Sequence, residues 1–176
     1  MADPGARDRL RDASSTERTV APAGTRERTK APPADELLGG GREAMSVYRW
    51  IDHTAELELA IEAPSDTGVF ADALSALGQL LGEEAGGEAA RHEISASASD
   101  RPALLVEWLS ELVFLAETEA FVPERVERLD LAVDRLRATV EGRRGNPPHL
   151  VKAVTYHRLD FRQDGDVWRA TVVLDV

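Results

Sequence analysis

The chain has 176 residues and a formal net charge of −11, from 32 acidic and 21 basic side chains. This length allows one domain and little more. Cysteine is absent, which excludes disulfides, zinc–thiolate sites and thiol nucleophiles and leaves oxygen and imidazole as metal ligands. No apolar run approaches the roughly 20 residues that a membrane-spanning helix needs, and no signal peptide is evident. We therefore expect a cytoplasmic protein without a membrane segment.

The negative charge is concentrated in one part of the chain. Residues 1–44 hold eight basic and eight acidic side chains, so residues 45–176 carry all of the −11. Nucleic-acid affinity depends largely on Lys and Arg neutralising phosphates, so we expect no direct nucleic-acid binding. The acidic part instead favours a basic protein partner or a divalent cation. Acidity of this size is equally typical of a charge that only keeps a protein soluble.

The composition of residues 1–44 predicts a disordered N-terminal tail. The segment contains no aromatic residue and no Ile, and Ala, Pro, Gly, Thr, Arg and Glu dominate it. It cannot bury enough apolar surface to offset the loss of chain entropy on folding. Three consecutive glycines at 39–41 follow like a linker. We therefore expect the folded domain to span residues 45–176.

The folded part begins with strand patterns and a helix. After an aromatic run at 48–51, residues 56–62 alternate between apolar and mostly acidic side chains, which predicts a half-buried strand with an acidic outer face. A turn at 64–66 offers an N-cap, and apolar residues then recur at helical spacing until Gly82. Residues 91–99 predict a weaker strand.

The second half of the domain consists of one helix followed by strands. Asp100 and Pro102 suit the N-cap and first turn of a helix with a broad apolar stripe. Alternation then predicts four strands, with a loop at 142–148, and the last two strands, 151–162 and 167–176, are joined by an Asp-Gly hairpin signal. The order βαβαββββ predicts an α+β fold with two helices packed on a mainly antiparallel sheet.

Residues able to bind a cation occur at the two ends of this pattern. If the first long strand and the last strand are neighbours, the carboxylates of Glu56 and Asp175 converge. Carbonyls or the terminal carboxylate of Val176 would then complete a site for a hard divalent cation. A solvated acid at a strand end has the same pattern, and the residues alone leave both interpretations open.

Catalytic signatures are missing from the sequence. It has no glycine-rich phosphate loop, no nucleophile elbow and no metalloprotease His-Glu pair. A catalytic set assembled in space would leave no local signature. By spacing alone, His53 is typical of a structural histidine and Lys152 of an exposed strand residue. We expect a protein that is not an enzyme.

Four stretches of the sequence carry recognisable motifs. They are an aromatic segment with Asp52-His53-Thr54-Ala55-Glu56, then Leu105–Leu112 with Glu117-Thr118-Glu119, then Val151–His157, and last Val172–Val176. In these stretches the sequence resembles the archease family. The matches occur in the family's order and cover nearly all of residues 47–176, whereas the tail has no counterpart.

The resemblance implies an accessory protein rather than an enzyme. Such proteins bind a divalent cation, often Ca²⁺ with Mg²⁺ or Mn²⁺ as alternatives, and help a GTP-dependent tRNA-splicing RNA ligase. They promote guanylylation and multiple turnover, and the chemistry stays in the ligase. The metal ligands implied here are Glu56, where the family usually has Asp, together with Asp175 and Val176. The implied partner contacts are Asp52, His53 and Lys152.

Two other functions stay open from the residues themselves. A stand-alone metal-dependent phosphoester hydrolase would turn over phosphoesters in the presence of Mg²⁺, Mn²⁺ or Ca²⁺. A chaperone-like protein-interaction module would show no Ca²⁺-dependent thermal stabilisation. A cation-binding accessory protein would not turn over phosphoesters and would be stabilised against heat by Ca²⁺.

Overall fold

A computed structural model describes residues 27–29, 46–52, 55–82, 86–147 and 151–176. Eight strands and two helices lie within these ranges. In chain order they are β1 (Glu27–Thr29), β2 (Val47–Asp52), β3 (Glu56–Ala63), α1 (Asp66–Gly82), β4 (Ala89–Ser97), α2 (Arg101–Glu119), β5 (Phe121–Leu131), β6 (Arg135–Arg144), β7 (Ala153–Asp164) and β8 (Val167–Asp175).

The strands form two antiparallel sheets. The larger sheet has the order β1-β2-β3-β8-β7, and the smaller sheet has the order β4-β6-β5. Helix α1 contacts β2, β3 and β8 of the larger sheet and β5 of the smaller one, and α2 contacts β7 and the three strands of the smaller sheet. The predicted α+β class, with two helices on antiparallel sheets, is confirmed. The predicted element order has two strands fewer, because β1 falls in the predicted tail and the hairpin β2–β3 stands where one strand was counted.

Three residues of the predicted tail have a defined place in the larger sheet. Glu27–Thr29 pairs antiparallel with β2, so at these residues the chain is a strand and not disordered. The rest of residues 1–44 lies outside the described residues. The domain boundary at residue 45 therefore stays a prediction.

Side-chain caps define the starts of both helices. The N–H of Gly68 donates to Ser65 Oγ at 3.0 Å in the first turn of α1. Asp100 caps α2, where its Oδ1 accepts from the Ala103 N–H at 2.9 Å. Such a cap typically stabilises a helix by about 1 kcal/mol, because it satisfies an otherwise unpaired N–H group. Within the described residues, neither helix is long and apolar enough to cross a membrane.

The core lies between the helices and the inner faces of the sheets. Leu59 and Ile61 of β3 and Val172 of β8 are buried there together with the apolar faces of α1 and α2. Trp108 of α2 is fully buried, and its indole N–H donates to the Phe70 carbonyl oxygen of α1 at 3.1 Å. The bond satisfies the one polar group of this side chain, which would otherwise cost free energy to bury.

Two strands depart from the sequence pattern. Gly142, predicted to begin a loop, lies within β6. A Cβ atom there would come within 2.1 Å of the Val122 carbonyl oxygen of β5, so the close approach of the two strands requires glycine at this position. In β7 the register shifts between Thr155 and Asp160, which pair with Val173 and Thr171 of β8. Four residues of β7 therefore lie opposite a single residue of β8. Arg158, within this bulge, has a φ of 54°.

Candidate functional site

Strands β3 and β8 are neighbours at the centre of the larger sheet. They pair antiparallel from end to end, and Glu56 at the start of β3 is the register partner of Asp175 at the end of β8. Partners in an antiparallel pair project their side chains to the same face. The two residues that the sequence suggested as ligands therefore stand side by side on one sheet face.

The hydrogen-bond pattern brings these two side chains close together. The N–H of Val176 donates to the Ala55 carbonyl oxygen at 3.3 Å, and the Asp175 carbonyl oxygen accepts from the Lys152 N–H at 2.8 Å. The main-chain groups of Asp175 consequently face β7, and its pairing with Glu56 is of the non-hydrogen-bonded kind. In such pairs the Cα atoms are only about 4.5 Å apart and the side chains approach most closely.

The pair concentrates negative charge on the outer face of the larger sheet, the face that carries Glu56, Glu58 and Glu62. Glu58 lies 3.4 Å from Arg158 Nη1 and Glu62 lies 3.3 Å from Arg169 Nε. Among the described residues, Glu56 and Asp175 have no such cation and no side-chain hydrogen bond. Both are half-buried. Like charges placed directly opposite each other destabilise a sheet, so the two carboxylates, which form no ion pair with a described residue, should repel each other.

A third oxygen lies next to the pair, and a lysine binds it. Lys152 Nζ donates to the main-chain oxygen of Val176 at 2.9 Å. A main-chain oxygen has two lone pairs that can accept, so this bond leaves one of them for another ligand. The structure thus brings together Glu56, Asp175, Val176 and Lys152 at one end of the sheet.

The other two residues suggested by the sequence are not part of this group. Asp52, at the end of β2, is the register partner of Leu57, so its side chain lies on the sheet face opposite to that of Glu56. His53 lies outside the described residues. As partner contacts, both stay predictions.

The oxygen atoms at this site are of the kind that divalent cations bind, but there are too few of them to complete the coordination of such a cation. Two carboxylates and one main-chain oxygen are the ligands that hard cations prefer, but Ca²⁺ takes six to eight oxygens. Within the described residues, no group of three or more His, Asp or Glu side chains is placed to hold a metal ion. A cation at this site would therefore take its remaining ligands from water or from another molecule.

Residues near the β7 bulge were not singled out by sequence reasoning. The bulge carries Arg158, whose guanidinium lies beside Glu58, and Tyr156, whose hydroxyl donates to Glu107 Oε1 of α2 at 3.2 Å. Desolvation, and then the Glu107 carboxylate, raise the pKa of the Tyr156 hydroxyl above its usual value. Strand alternation could not reveal these contacts, because the bulge interrupts it. Glu107 and Tyr156 do lie in two of the segments that carry the family resemblance.

Comparisons with known proteins match the domain that contains this site. The model of the archease protein family matches residues 48–176. An archease of Methanosarcina acetivorans is 31% identical over 140 residues, covering 73% of this chain and 95% of that protein.

Solved structures have the same fold. A Methanobacterium thermoautotrophicum protein, determined in solution, aligns with a TM-score of 0.54 at 27% identity and covers 72% of this chain and 96% of that one. A Thermotoga maritima crystal structure, described as an archease and possible chaperone, has a TM-score of 0.56 at 24% identity and covers 72% and 94%. Because the family model spans both helices and the Glu56–Asp175 pair, the chain belongs to the archease family.

Proposed function

We propose that this protein is a metal-binding, non-catalytic activator of a GTP-dependent tRNA-splicing RNA ligase in the cytoplasm. It promotes guanylylation and multiple turnover of the ligase. The observation that carries the proposal is the Glu56–Asp175 pair, in which two carboxylates stand opposite each other without a cation in the described part of the chain. Membership of the archease family supports an accessory role.

In this proposal the two carboxylates and the Val176 oxygen hold a divalent cation, Ca²⁺ in the first place and Mg²⁺ or Mn²⁺ as alternatives. The bound cation supplies positive charge and coordination positions that a partner's oxygen atoms can fill. Glu56 and Asp175 are positioned by the β3–β8 ladder, so their separation is determined before any partner arrives. Lys152 orients the Val176 oxygen through its hydrogen bond.

The charge of the domain indicates what kind of surface the partner presents. Residues 45–176 carry the whole net charge of −11. A basic surface on a protein partner would be attracted to such a domain over distances of up to about 10 Å at moderate salt. The phosphate backbone of RNA would be repelled. We therefore propose that the ligase, and not its RNA substrate, is the molecule that this protein contacts.

A second candidate is a chaperone-like interaction module without a metal. Phe114 of α2 and Tyr156 of β7 favour it, because these two residues are 58% and 59% exposed. Large exposed apolar groups are often contact points for other proteins. The two candidates differ in their response to Ca²⁺, which stabilises the protein against heat only if the cation site exists.

The decisive experiment removes one charge and preserves the shape of the side chain. Asp175→Asn should lower Ca²⁺-dependent stimulation of ligase turnover by at least about tenfold, since losing even a residue that supports a metal ligand costs this much. The matched control is Glu62→Gln, on the same face of β3 and beside Arg169, which should leave stimulation unchanged. Equal stimulation by the wild type and Asp175→Asn would refute the cation site. Turnover of phosphoesters by the purified wild-type protein alone would instead support the hydrolase.

A further inference from the structure

The sheets end in four edge strands among the described residues, and three of them are protected. β1 has only three residues, β7 contains the bulge between Thr155 and Asp160, and β5 has two register shifts and Pro123. Short strands, bulges and prolines prevent an edge from pairing with another chain. β4 has none of these features, because its nine residues pair with β6 in unbroken register. In the part of the chain that the structure describes, no strand pairs with the outer edge of β4, which is therefore open to a further strand.

The unused hydrogen-bonding groups of β4 can be assigned from its pairing with β6. The Arg144 N–H donates to the Glu88 carbonyl oxygen and the Ala98 N–H donates to the Asp134 carbonyl oxygen, each at 2.9 Å. Even-numbered residues of β4 therefore bond to β6, and the N–H and C=O groups of odd-numbered residues point away from the sheet. All five of these odd-numbered residues are exposed, and they are Ala89, Arg91, Glu93, Ser95 and Ser97.

We propose that β4 pairs antiparallel with β4 of a second copy of this chain, about a twofold axis through His92. In this register Arg91 lies opposite Glu93 of the second copy and Glu93 lies opposite its Arg91. Both residues present outward-pointing main-chain groups, so each such pair forms two hydrogen bonds. The two three-stranded sheets become one sheet of six strands.

The charges of β4 select this register over its neighbours. A twofold axis at residue 91 would place Arg91 opposite Arg91 of the second copy. An axis at residue 93 would likewise place the two Glu93 side chains opposite each other. Parallel pairing in register would also place identical charges together, which destabilises a sheet. The remaining outward residues, Ala89, Ser95 and Ser97, are small and uncharged. The β4 edge is thus self-complementary in one arrangement.

This inference is independent of the proposed function. The Glu56–Asp175 pair belongs to the larger sheet, whereas β4 is an edge of the smaller one. Dimer formation through β4 leaves the carboxylate pair accessible in both copies. Failure of the cation site would therefore say nothing about dimer formation, and the reverse holds as well.

The test is sedimentation velocity of the full chain from about 1 µM to about 1 mM, a range that covers weak and moderate dimers. The wild type should reach the mass of two chains at the upper concentrations. Arg91→Glu and Glu93→Arg should each raise the dissociation constant at least about tenfold, because each variant opposes like charges. Both positions are exposed, and the ion pair of Arg91 with Glu127 is exposed as well, so both variants should fold.

Two further samples test the register itself. The double variant R91E/E93R should dimerise like the wild type, and an equimolar mixture of the two single variants should form a heterodimer. Arg162→Glu, the same charge change on β7 of the other sheet, is the control and should not alter dimer formation.

A wild type that stays monomeric at every concentration would overturn the proposal and would leave the edge to a strand of another protein. A dimer insensitive to either reversal, or a mixture without heterodimers, would also overturn it.

Discussion

At positions 58 and 62 of β3 a glutamate lies beside an arginine, whereas at position 56 a glutamate lies beside a second acid. All three glutamates occupy the same strand and the same face, and their partners in β8 follow one continuous register. The arginines neutralise one part of the face as an ordinary charged surface. The comparison shows that acidity alone does not distinguish one part of this face from another, and the proposed cation site rests on the difference in ion pairing between position 56 and positions 58 and 62.

The largest expected effect is a gain in the free energy of unfolding on Ca²⁺ binding, which should depend on Asp175 at one end of this face and not on Glu62 at the other. At a Ca²⁺ concentration 100 times the dissociation constant, the wild type should gain about 2.7 kcal/mol in the free energy of unfolding. Asp175→Asn should lose nearly all of this gain, and Glu62→Gln should keep it. Urea denaturation with Ca²⁺ and with a chelator measures both. Equal gains in the two variants would remove the distinction between the ends.

A smaller effect, on the affinity for Ca²⁺, should follow when an arginine is placed beside the Glu56–Asp175 pair, as one already lies beside Glu62. Ala153 is exposed and is the β7 register partner of Asp175, so Ala153→Arg would place a cation beside the acidic pair. The arginine would do there what Arg169 does beside Glu62. We expect Ca²⁺ affinity to fall about tenfold, equivalent to about 1.4 kcal/mol. Calorimetric titration measures it, with Ala153→Gln as the uncharged control. Unchanged affinity in Ala153→Arg would show that the cation binds elsewhere.

The smallest effects concern the protein without a cation, and they should have opposite signs. Asp175→Asn relieves a like-charge repulsion and should raise the unfolding free energy by about 0.2–1 kcal/mol. Glu62→Gln removes an exposed ion pair and should lower it by up to about 1 kcal/mol. Both values come from urea denaturation in the presence of a chelator. A loss of stability in Asp175→Asn would mean that the acidic pair is not repulsive.

Local features of the fold could be predicted from the sequence. Asp100 caps α2 as expected, and the Asp164-Gly165 turn joins β7 to β8 with Gly165 at a φ of 63°. Both depend on a few adjacent residues whose backbone preferences are strong. The two helices could be predicted equally well, because their apolar residues recur at helical spacing over several turns.

Features that depend on strand pairing could not be predicted in the same way. A period of two identifies a strand but does not say which strand lies beside it, so the division into two sheets and the hairpin β2–β3 were missed. The bulge around Arg158 adds residues to one strand, and alternation carries no sign of them. For the candidate site, the strand pattern suggested that Glu56 and Asp175 converge if the first long strand and the last strand are neighbours, and the family resemblance implied that they are metal ligands. Their close, non-hydrogen-bonded pairing required the structure.

The most direct test of the acidic pair is nuclear magnetic resonance of the ¹⁵N-labelled protein during titration with Mn²⁺, which broadens the signals of nearby nuclei. We predict selective loss of the amide signals of Glu56, Asp175 and Val176 at low Mn²⁺. The amide signals of Glu62 and Arg169, on the same face, should persist, and excess Ca²⁺ should restore the lost signals. Broadening centred on other residues, or spread evenly along the face, would contradict a cation site at the Glu56–Asp175 pair.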